Sequence, residues 1–175
     1  MTNSGAADPV PSLLEHTGRT KRKSKLIDWM NAMAPSRAKW MDRNDYYYQE
    51  HYRYLRFLVP EGLRVLDLGC GLGGQLAALK PSYGVCVDIS SAMITIAQDR
   101  HPDHEFVTGD IEDPDVLAAL EGPFDVIILS DTIGYMDDCE EALRKLHLLC
   151  TPDTRIVISY FSRYWEPALI LAEKA

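Results

Sequence analysis

A glycine-rich turn between an apolar strand and a helix constrains the fold of this chain more than any other feature of its sequence. Residues 64–68 are predicted to form a buried strand, and Gly69, Gly71 and Gly74 follow it in the spacing GxGxxG. Glycine suits such a turn because it allows tight backbone conformations and the close approach of a ligand. The helix after the turn presents its free N–H groups to that ligand. By itself the pattern does not separate one type of nucleotide ligand from another.

The alternation of strand and helix continues along the chain. Continuous apolar runs are typical of strands buried on both faces of a sheet, and the segments between them show apolar residues at helical spacing. Further strands are predicted at 84–88, 105–108, 124–130 and 155–160, and helices at 74–79, 91–99, 114–120, 139–149 and 166–174. This rhythm predicts an α/β fold with a doubly wound, mostly parallel sheet.

Two segments precede the first strand. Residues 1–24 mix small residues, prolines and charges without periodicity, which predicts a disordered arm. The basic run within it, 19–25, is interpreted as solvent-exposed, with weak contact to an anionic surface as the alternative. Residues 25–62 are predicted to form a helical lid, with a short helix at 26–33 and a tyrosine-rich helix at 45–58. Residues 63–175 are predicted to form the ligand-binding domain.

Composition argues against several partners and locations. The 175 residues carry a net charge of −8, which disfavours nucleic acid as a partner because phosphate backbones are bound through Lys and Arg. No apolar run reaches the length of about 18 residues that a membrane-spanning helix needs, so no transmembrane segment is predicted. The four cysteines form no CxxC pair, which predicts reduced thiols in a cytoplasmic protein.

Acidic residues follow the first three predicted strands, at the edge where such sheets bind their ligands. Asp67 lies two residues before Gly69, where a carboxylate would meet a cationic amino group. Asp88 ends the second strand 21 positions later (88 − 67), close to the interval of about 20 residues at which a carboxylate binds the hydroxyls of a ribose. Asp110 follows the third strand, where a side-chain acceptor can bind an exocyclic amine such as that of adenine.

The chain resembles the class I S-adenosylmethionine-dependent methyltransferases in four ordered motifs. These motifs are Asp67-Leu-Gly-Cys-Gly-Leu-Gly-Gly, Val87-Asp88, Gly109-Asp110 and Phe124-Asp125-Val126-Ile127. The resemblance covers about residues 64–160 and implies a Rossmann-like fold, S-adenosylmethionine as cofactor and in-line transfer of its methyl group. Complete domains of this family carry two further strands, so the sheet is expected to lack the last two strands of the fold. A dimer partner or a further domain would then cover the edge of the fifth strand.

The resemblance also implies roles for individual residues. Asp67 would help to hold the methionine portion of the cofactor, Asp88 the ribose and Asp110 the adenine amine. The expected cofactor-binding residues are Asp67, Gly69, Cys70, Gly71, Asp88, Ile89, Asp110, Ile111 and Ser130. The candidates for contact with the methyl acceptor are Tyr46, Tyr47, Tyr48, Asp131 and Tyr135.

Methyl transfer of this kind depends mainly on the alignment of the two reactants, so neither a nucleophile nor a metal is required. A base is needed only if the acceptor is a hydroxyl or another weakly acidic group, and the candidates are His51 and Tyr135. The predicted acceptor is a small molecule or a sugar. The sugar follows from a looser resemblance, carried by the aromatic segment before Arg64, to the methyltransferase halves of bifunctional methyltransferase–glycosyltransferase proteins.

Two other functions fit part of the sequence. An NAD-dependent dehydrogenase shares the glycine turn and the ribose-binding acid, but Asp67 would place a negative charge beside the pyrophosphate of that cofactor. A non-catalytic module that binds S-adenosylmethionine, or that serves only as an interaction domain, is the second alternative. The missing strands favour it, whereas the intact Asp67, Gly71 and Asp88 argue against an empty pocket.

Overall fold

Five parallel strands form a sheet at the centre of the structure, a computed structural model that describes residues 20–160. The strands are β1 (Arg64–Leu68), β2 (Tyr83–Asp88), β3 (Glu105–Thr108), β4 (Val126–Ser130) and β5 (Arg155–Ser159). Their order in the sheet is β3-β2-β1-β4-β5, and every neighbouring pair is parallel. The direction of winding reverses between β3 and β4, which places a topological switch point beside β1. The predicted doubly wound α/β fold is therefore confirmed.

Helices cover both faces of the sheet. Within residues 20–160 they are α1 (Lys21–Arg43), α2 (Asp45–Leu58), α3 (Gly74–Leu79), α4 (Ser91–Arg100), α5 (Pro114–Ala118) and α6 (Cys139–Lys145). Short 3-10 turns follow at Ile133–Tyr135 and Leu146–Leu149. The predicted helix 139–149 is thus α6 followed by a 3-10 turn. The predicted helix 166–174 and most of the predicted arm lie outside the described residues. None of the helices within residues 20–160 is both long and apolar enough to cross a membrane.

Helix α1 is the main difference from the sequence prediction, which placed a short helix at 26–33. It begins at Lys21, because the hydroxyl of Thr20 accepts a hydrogen bond from the Lys23 N–H over 3.1 Å and caps the first turn. It continues through Pro35, although proline removes a hydrogen bond inside a helix. Ala34 and Ala38, which lie on either side of that proline, pack in one apolar cluster with Leu72 and Met93. Residues 21–24, predicted to be disordered, are therefore helical.

The alternation of side chains along β1 decides what each face of the sheet contains. Leu66 and Leu68 point to the face covered by α5 and α6, where they join one apolar cluster. Val65 points to the opposite face, where Leu55 of α2 and Leu76 of α3 belong to a second cluster. Asp67 has the same parity as Val65, so its carboxylate enters the apolar layer beneath α2 and α3, where its exposed fraction is 0%. A carboxylate is costly there unless it has a partner.

Candidate functional site

A cavity of about 1160 Å³ lies where the carboxyl ends of β1, β2 and β4 meet, beside the switch point of the sheet. Helices α1 and α2 form its outer wall, and the turn after β1 forms its floor. Its volume exceeds the range of about 300–1,000 Å³ that is typical of a site for one small molecule. The cavity is therefore larger than a site for one small molecule requires.

The floor is a turn whose backbone only glycine accommodates. Gly69 and Gly71 adopt positive φ angles of 78° and 56°, a region that other residues rarely occupy. A β-carbon on Gly69 would lie 2.2 Å from the hydroxyl oxygen of Thr132. That hydroxyl donates a hydrogen bond to the carbonyl of Leu68 over 2.9 Å and so ties the loop after β4 to the end of β1. The turn is therefore held in place by the loop after β4, and its other face lines the cavity.

Asp88, at the end of β2, lies on the cavity wall and is 6% exposed. Its two carboxylate oxygens accept hydrogen bonds from the N–H of Gly71 over 2.8 Å and from the N–H of Ser90 over 2.9 Å. Burial raises the pKa of Asp88, while these two N–H groups and the positive charge of Arg37 oppose that rise. The carboxylate is thus held in one orientation beside the glycine turn.

Asp67 is placed differently from Asp88, because it lies behind the turn and contributes nothing to the cavity wall. Its Oδ1 accepts a hydrogen bond from Nε2 of Gln75 over 2.9 Å. Its Oδ2 is buried and has no hydrogen-bond partner among the described residues. Burial, with a smaller contribution from the negative charge of Asp88, raises the pKa of Asp67 to about 7. This carboxyl therefore changes its charge near neutral pH and lacks one partner.

Asp110 meets a residue that the sequence analysis did not select. Its Oδ1 accepts hydrogen bonds from Nζ of Lys23 over 2.9 Å and from the N–H of Glu112 over 3.0 Å. Lys23 also forms a short ion pair with the Glu112 carboxylate and is 5% exposed. Burial alone would lower the pKa of Lys23, but the two carboxylates raise it above its usual value. The prediction that the whole basic run 19–25 is solvent-exposed is therefore wrong for Lys23, which fastens α1 to the loop after β3.

The remaining predicted cofactor-binding residues also lie at this cavity. The lining includes Gly69, Cys70, Gly71, Asp88, Ile89, Asp110, Ile111 and Ser130. Of the nine residues predicted for the cofactor, only Asp67 is absent from the wall, and it lies directly behind it. The structure thus brings together groups from the ends of β1, β2, β3 and β4.

The predicted acceptor-binding residues divide into two groups. Tyr47, Tyr48, Asp131 and Tyr135 line the cavity. Tyr46 does not line it and is 80% exposed, because consecutive residues of a helix point in directions about 100° apart. His51 lines the cavity as well, and its Nε2 lies 3.2 Å from Oε1 of Gln75.

Most of α1 was missed as a source of site residues. One stripe of this helix, at spacings of three and four, faces the cavity rather than the protein core. Its members are Leu26, Met30, Met33, Arg37 and Met41, flanked by Trp29 and Trp40. The regular spacing of these apolar residues could have predicted a long helix, but a stripe facing a ligand is indistinguishable in sequence from one facing a core.

Comparisons with known proteins identify the family to which the chain belongs. The family described as "Methyltransferase domain" matches residues 19–174. A curated relative, the malonyl-[acyl-carrier protein] O-methyltransferase of Bacillus cereus, is 36% identical over 110 residues, which are 61% of this chain and 40% of that protein. The chain therefore spans less than half the length of that relative.

Two solved structures share the fold. A TehB-like S-adenosylmethionine-dependent methyltransferase from Corynebacterium glutamicum is 24% identical, with a TM-score of 0.59 and a coverage of 82% of each chain. An S-adenosylmethionine-bound amino pentose methyltransferase from Micromonospora echinaspora is 20% identical, with a TM-score of 0.57, covering 73% of this chain and 56% of that one. At these identities the likeness concerns the fold of the protein alone.

Proposed function

The chain belongs to the class I S-adenosylmethionine-dependent methyltransferases, and on that premise we propose that it binds S-adenosylmethionine in the cavity and transfers the methyl group to a small-molecule or sugar-type acceptor. The observation that carries this proposal is the placement of three strand-end carboxylates, Asp67, Asp88 and Asp110, around one cavity at the switch point of the sheet.

The residues present fit this cofactor. Oδ2 of Asp67 is buried without a partner, and a cationic amino group, bound directly or through water, would supply one. Asp88 lies at the cavity wall at the end of β2, in place for ribose hydroxyls. Asp110 uses Oδ1 for its bonds to Lys23 and Glu112, and its Oδ2 accepts no bond from residues 20–160, which leaves it for an amine such as that of adenine.

Bound S-adenosylmethionine supplies an electrophilic methyl group, and the chain supplies orientation and the exclusion of water. The carboxylates hold the two ends of the ligand, and the glycine turn allows the backbone to approach it closely. Helix α1 closes over the cavity and is fastened there by Lys23. Alignment of this kind contributes most of the acceleration available to a displacement reaction.

The acceptor would occupy the part of the cavity between α1 and α2. Aromatic side chains dominate this wall, including Trp29, Trp40, Tyr47 and Tyr48. Aromatic rings with polar tips bind flat apolar faces and hydroxyl groups together, which supports a sugar or another small polar ring. The amino pentose methyltransferase that shares this fold is named for an acceptor of the sugar class, in line with this proposal.

Calorimetric titration with S-adenosylhomocysteine, with NADH run alongside, tests the proposal. We expect micromolar affinity for S-adenosylhomocysteine and no binding of NADH. Binding of NADH alone would instead support a dehydrogenase. Failure of both ligands to bind the folded chain would overturn the proposed function and favour an interaction module. Once the cofactor is established, a screen of methyl acceptors beginning with sugars separates an enzyme from a non-catalytic binding protein.

The charge state of Asp67 leads to a pH-dependent prediction. Below its pKa of about 7 this carboxyl is protonated in the free protein, whereas a cationic amino group beside it favours the ionised form. Ligand binding should then release a proton, so affinity should rise with pH and level off above about pH 7. We expect the dissociation constant of S-adenosylhomocysteine to be about tenfold higher at pH 6 than at pH 8.

Asp67→Asn is the matched test of this pH dependence, since asparagine has the same shape and no charge to titrate. The variant should bind more weakly at pH 8 and should show an affinity that no longer changes between pH 6 and 8. An unchanged slope in this variant would mean that another group causes the dependence.

Within residues 20–160 no strand pairs with the outer edge of β5, which supports a partner at this edge. Ile156 and Ile158 on β5 are 43% and 45% exposed, although they lie in a strand. We propose that a second copy of the chain covers this edge, and light scattering coupled to size exclusion tests it. A monomer at micromolar concentration would favour a further domain instead.

The four cysteines are free thiols, and we propose a reducing, cytoplasmic location on that ground.

A further inference from the structure

We propose that Gln75 is a positioning residue that fixes the tautomer of His51 and thereby makes Nδ1 of His51 the proton acceptor for a hydroxyl-bearing methyl acceptor. This inference rests on the function proposed above and extends it to the proton that a hydroxyl acceptor must lose. It assigns a role in proton transfer to a buried glutamine whose amide nitrogen also holds Asp67.

A chain of hydrogen bonds connects three elements of the fold. His51 on α2 contributes Nε2, which lies 3.2 Å from Oε1 of Gln75 on α3. Gln75 in turn donates from Nε2 to Oδ1 of Asp67 on β1 over 2.9 Å. Gln75 is 8% exposed and Asp67 is fully buried, so the bond between these two side chains is shielded from water. These hydrogen bonds therefore extend from Asp67 in the apolar layer to His51 at the cavity wall.

The chemistry of each group fixes the direction of these bonds. An ionised carboxylate only accepts hydrogen bonds, so the amide nitrogen of Gln75 must face Asp67 and its oxygen must face His51. An amide oxygen only accepts, so Nε2 of His51 must carry the proton. In the neutral imidazole this leaves Nδ1 with a free lone pair. Nδ1 has no hydrogen-bond partner among residues 20–160.

Ionisable groups from several elements share the cavity with His51. They include Arg37 from α1 and Tyr48 and Tyr52 from α2, while Asp67 from β1 is connected to His51 through Gln75. Burial raises the pKa of both tyrosines, so they stay neutral. The charge of Asp67 sets the direction of the two hydrogen bonds made by Gln75. While it is ionised, Asp67 can only accept from Gln75, which keeps the amide oxygen of Gln75 facing His51.

The proposed proton transfer is balanced. Nδ1 of His51 takes the hydroxyl proton as the acceptor oxygen forms its bond to the methyl carbon. The bond between that carbon and sulfur breaks, and its electron pair remains on sulfur. The imidazolium of His51 then returns its proton to water. A cationic ligand group beside Asp67 keeps that carboxylate ionised. The ligand that brings the methyl group therefore also keeps the proton of neutral His51 on Nε2 and leaves Nδ1 unprotonated.

Nitrogen NMR of the chain labelled with ¹⁵N-histidine tests the tautomer without any assay of activity. The signals of His51 are identified by their absence in His51→Gln. At pH 8 we expect a directly observed proton on Nε2 and an unprotonated Nδ1. In Gln75→Met, which keeps the length of the side chain without its polar atoms, the Nε2 proton should exchange with water and disappear. A proton on Nδ1 of the wild type, or unchanged His51 signals in Gln75→Met, would overturn the proposal.

Kinetics separates this proposal from the proposed function. With a hydroxyl acceptor, His51→Gln should lower kcat by about 100-fold or more, the usual contribution of a general base, and Gln75→Met should lower it by a smaller factor, with little change in KM for the acceptor. His101→Gln, at the end of α4 and outside this cavity, is the matched control and should leave kcat unchanged. Failure of the wild type to bind S-adenosylhomocysteine would contradict the proposed function. Normal binding with unchanged kcat in His51→Gln would contradict only the present inference.

Discussion

Replacement of Asp88 by alanine should weaken the binding of S-adenosylhomocysteine by roughly tenfold to hundredfold. Hydrogen bonds to a charged group contribute about 1.5–3 kcal/mol, and this carboxylate lies 6% exposed at the cavity wall. The substitution also removes the acceptor for the N–H groups of Gly71 and Ser90, so the glycine turn loses part of its support. Calorimetric titration of the folded variant measures the effect.

Asp125→Ala is the matched control for Asp88→Ala. Asp125 also accepts a hydrogen bond from a backbone N–H, that of Arg64 over 2.8 Å, but at the opposite end of the sheet. We therefore expect Asp125→Ala to lower the melting temperature and to leave the affinity for S-adenosylhomocysteine unchanged. Equal affinities of Asp88→Ala and the wild type would remove Asp88 from the ligand site.

The replacement of Lys23 by methionine should release the first turns of α1 from the loop after β3. Methionine keeps the apolar stem but leaves the carboxylates of Asp110 and Glu112 close together without their cation. Loss of one partner from a buried ion pair costs about 3–5 kcal/mol. We expect faster hydrogen exchange of the amides in residues 21–30 and faster dissociation of S-adenosylhomocysteine, by tenfold or more.

Arg22→Met provides the comparison for the Lys23 variant at the neighbouring position. Arg22 also pairs with an acidic residue, Asp137, but 52% of its side chain is exposed. Exposed ion pairs contribute about 0–1 kcal/mol, so this variant should change neither hydrogen exchange nor ligand dissociation by more than a fewfold. Similar effects in both variants would show that loss of positive charge, rather than loss of the buried contact, loosens α1.

The sheet and its ligand-binding edge could be predicted from sequence because local patterns determine them. The apolar run before the glycine turn predicts β1 with the bounds that the structure shows, and Ser90 caps α4 by accepting the N–H of Met93. Parallel strands place their carboxyl ends at one edge, so the position of Asp88 in sequence was sufficient to locate it. The predicted cofactor-binding residues mostly reach the cavity for this reason.

The contacts between α1 and the sheet could not be predicted in this way. Lys23 meets Asp110 across 87 positions of sequence, and nothing local distinguishes Lys23 from the basic residues beside it. Gln75 was missed for a similar reason, because its role depends on Asp67 and His51, which belong to two other elements. The place of each tyrosine on α2 depends on the rotation of that helix, which the packing of Leu55 and Tyr52 decides.

The outer wall of the cavity comes from one uninterrupted stretch of chain, residues 21–58, whereas the carboxylates come from strand ends distributed along the rest. On the proposed function, much of the acceptor-binding wall is therefore encoded in one part of the gene and most cofactor-binding residues in another. A recombination event that exchanged residues 21–58 would give the same cofactor-binding half a new acceptor preference. The exchanged segment would have to keep a cation at the position of Lys23, because without it the charges of Asp110 and Glu112 would be uncompensated.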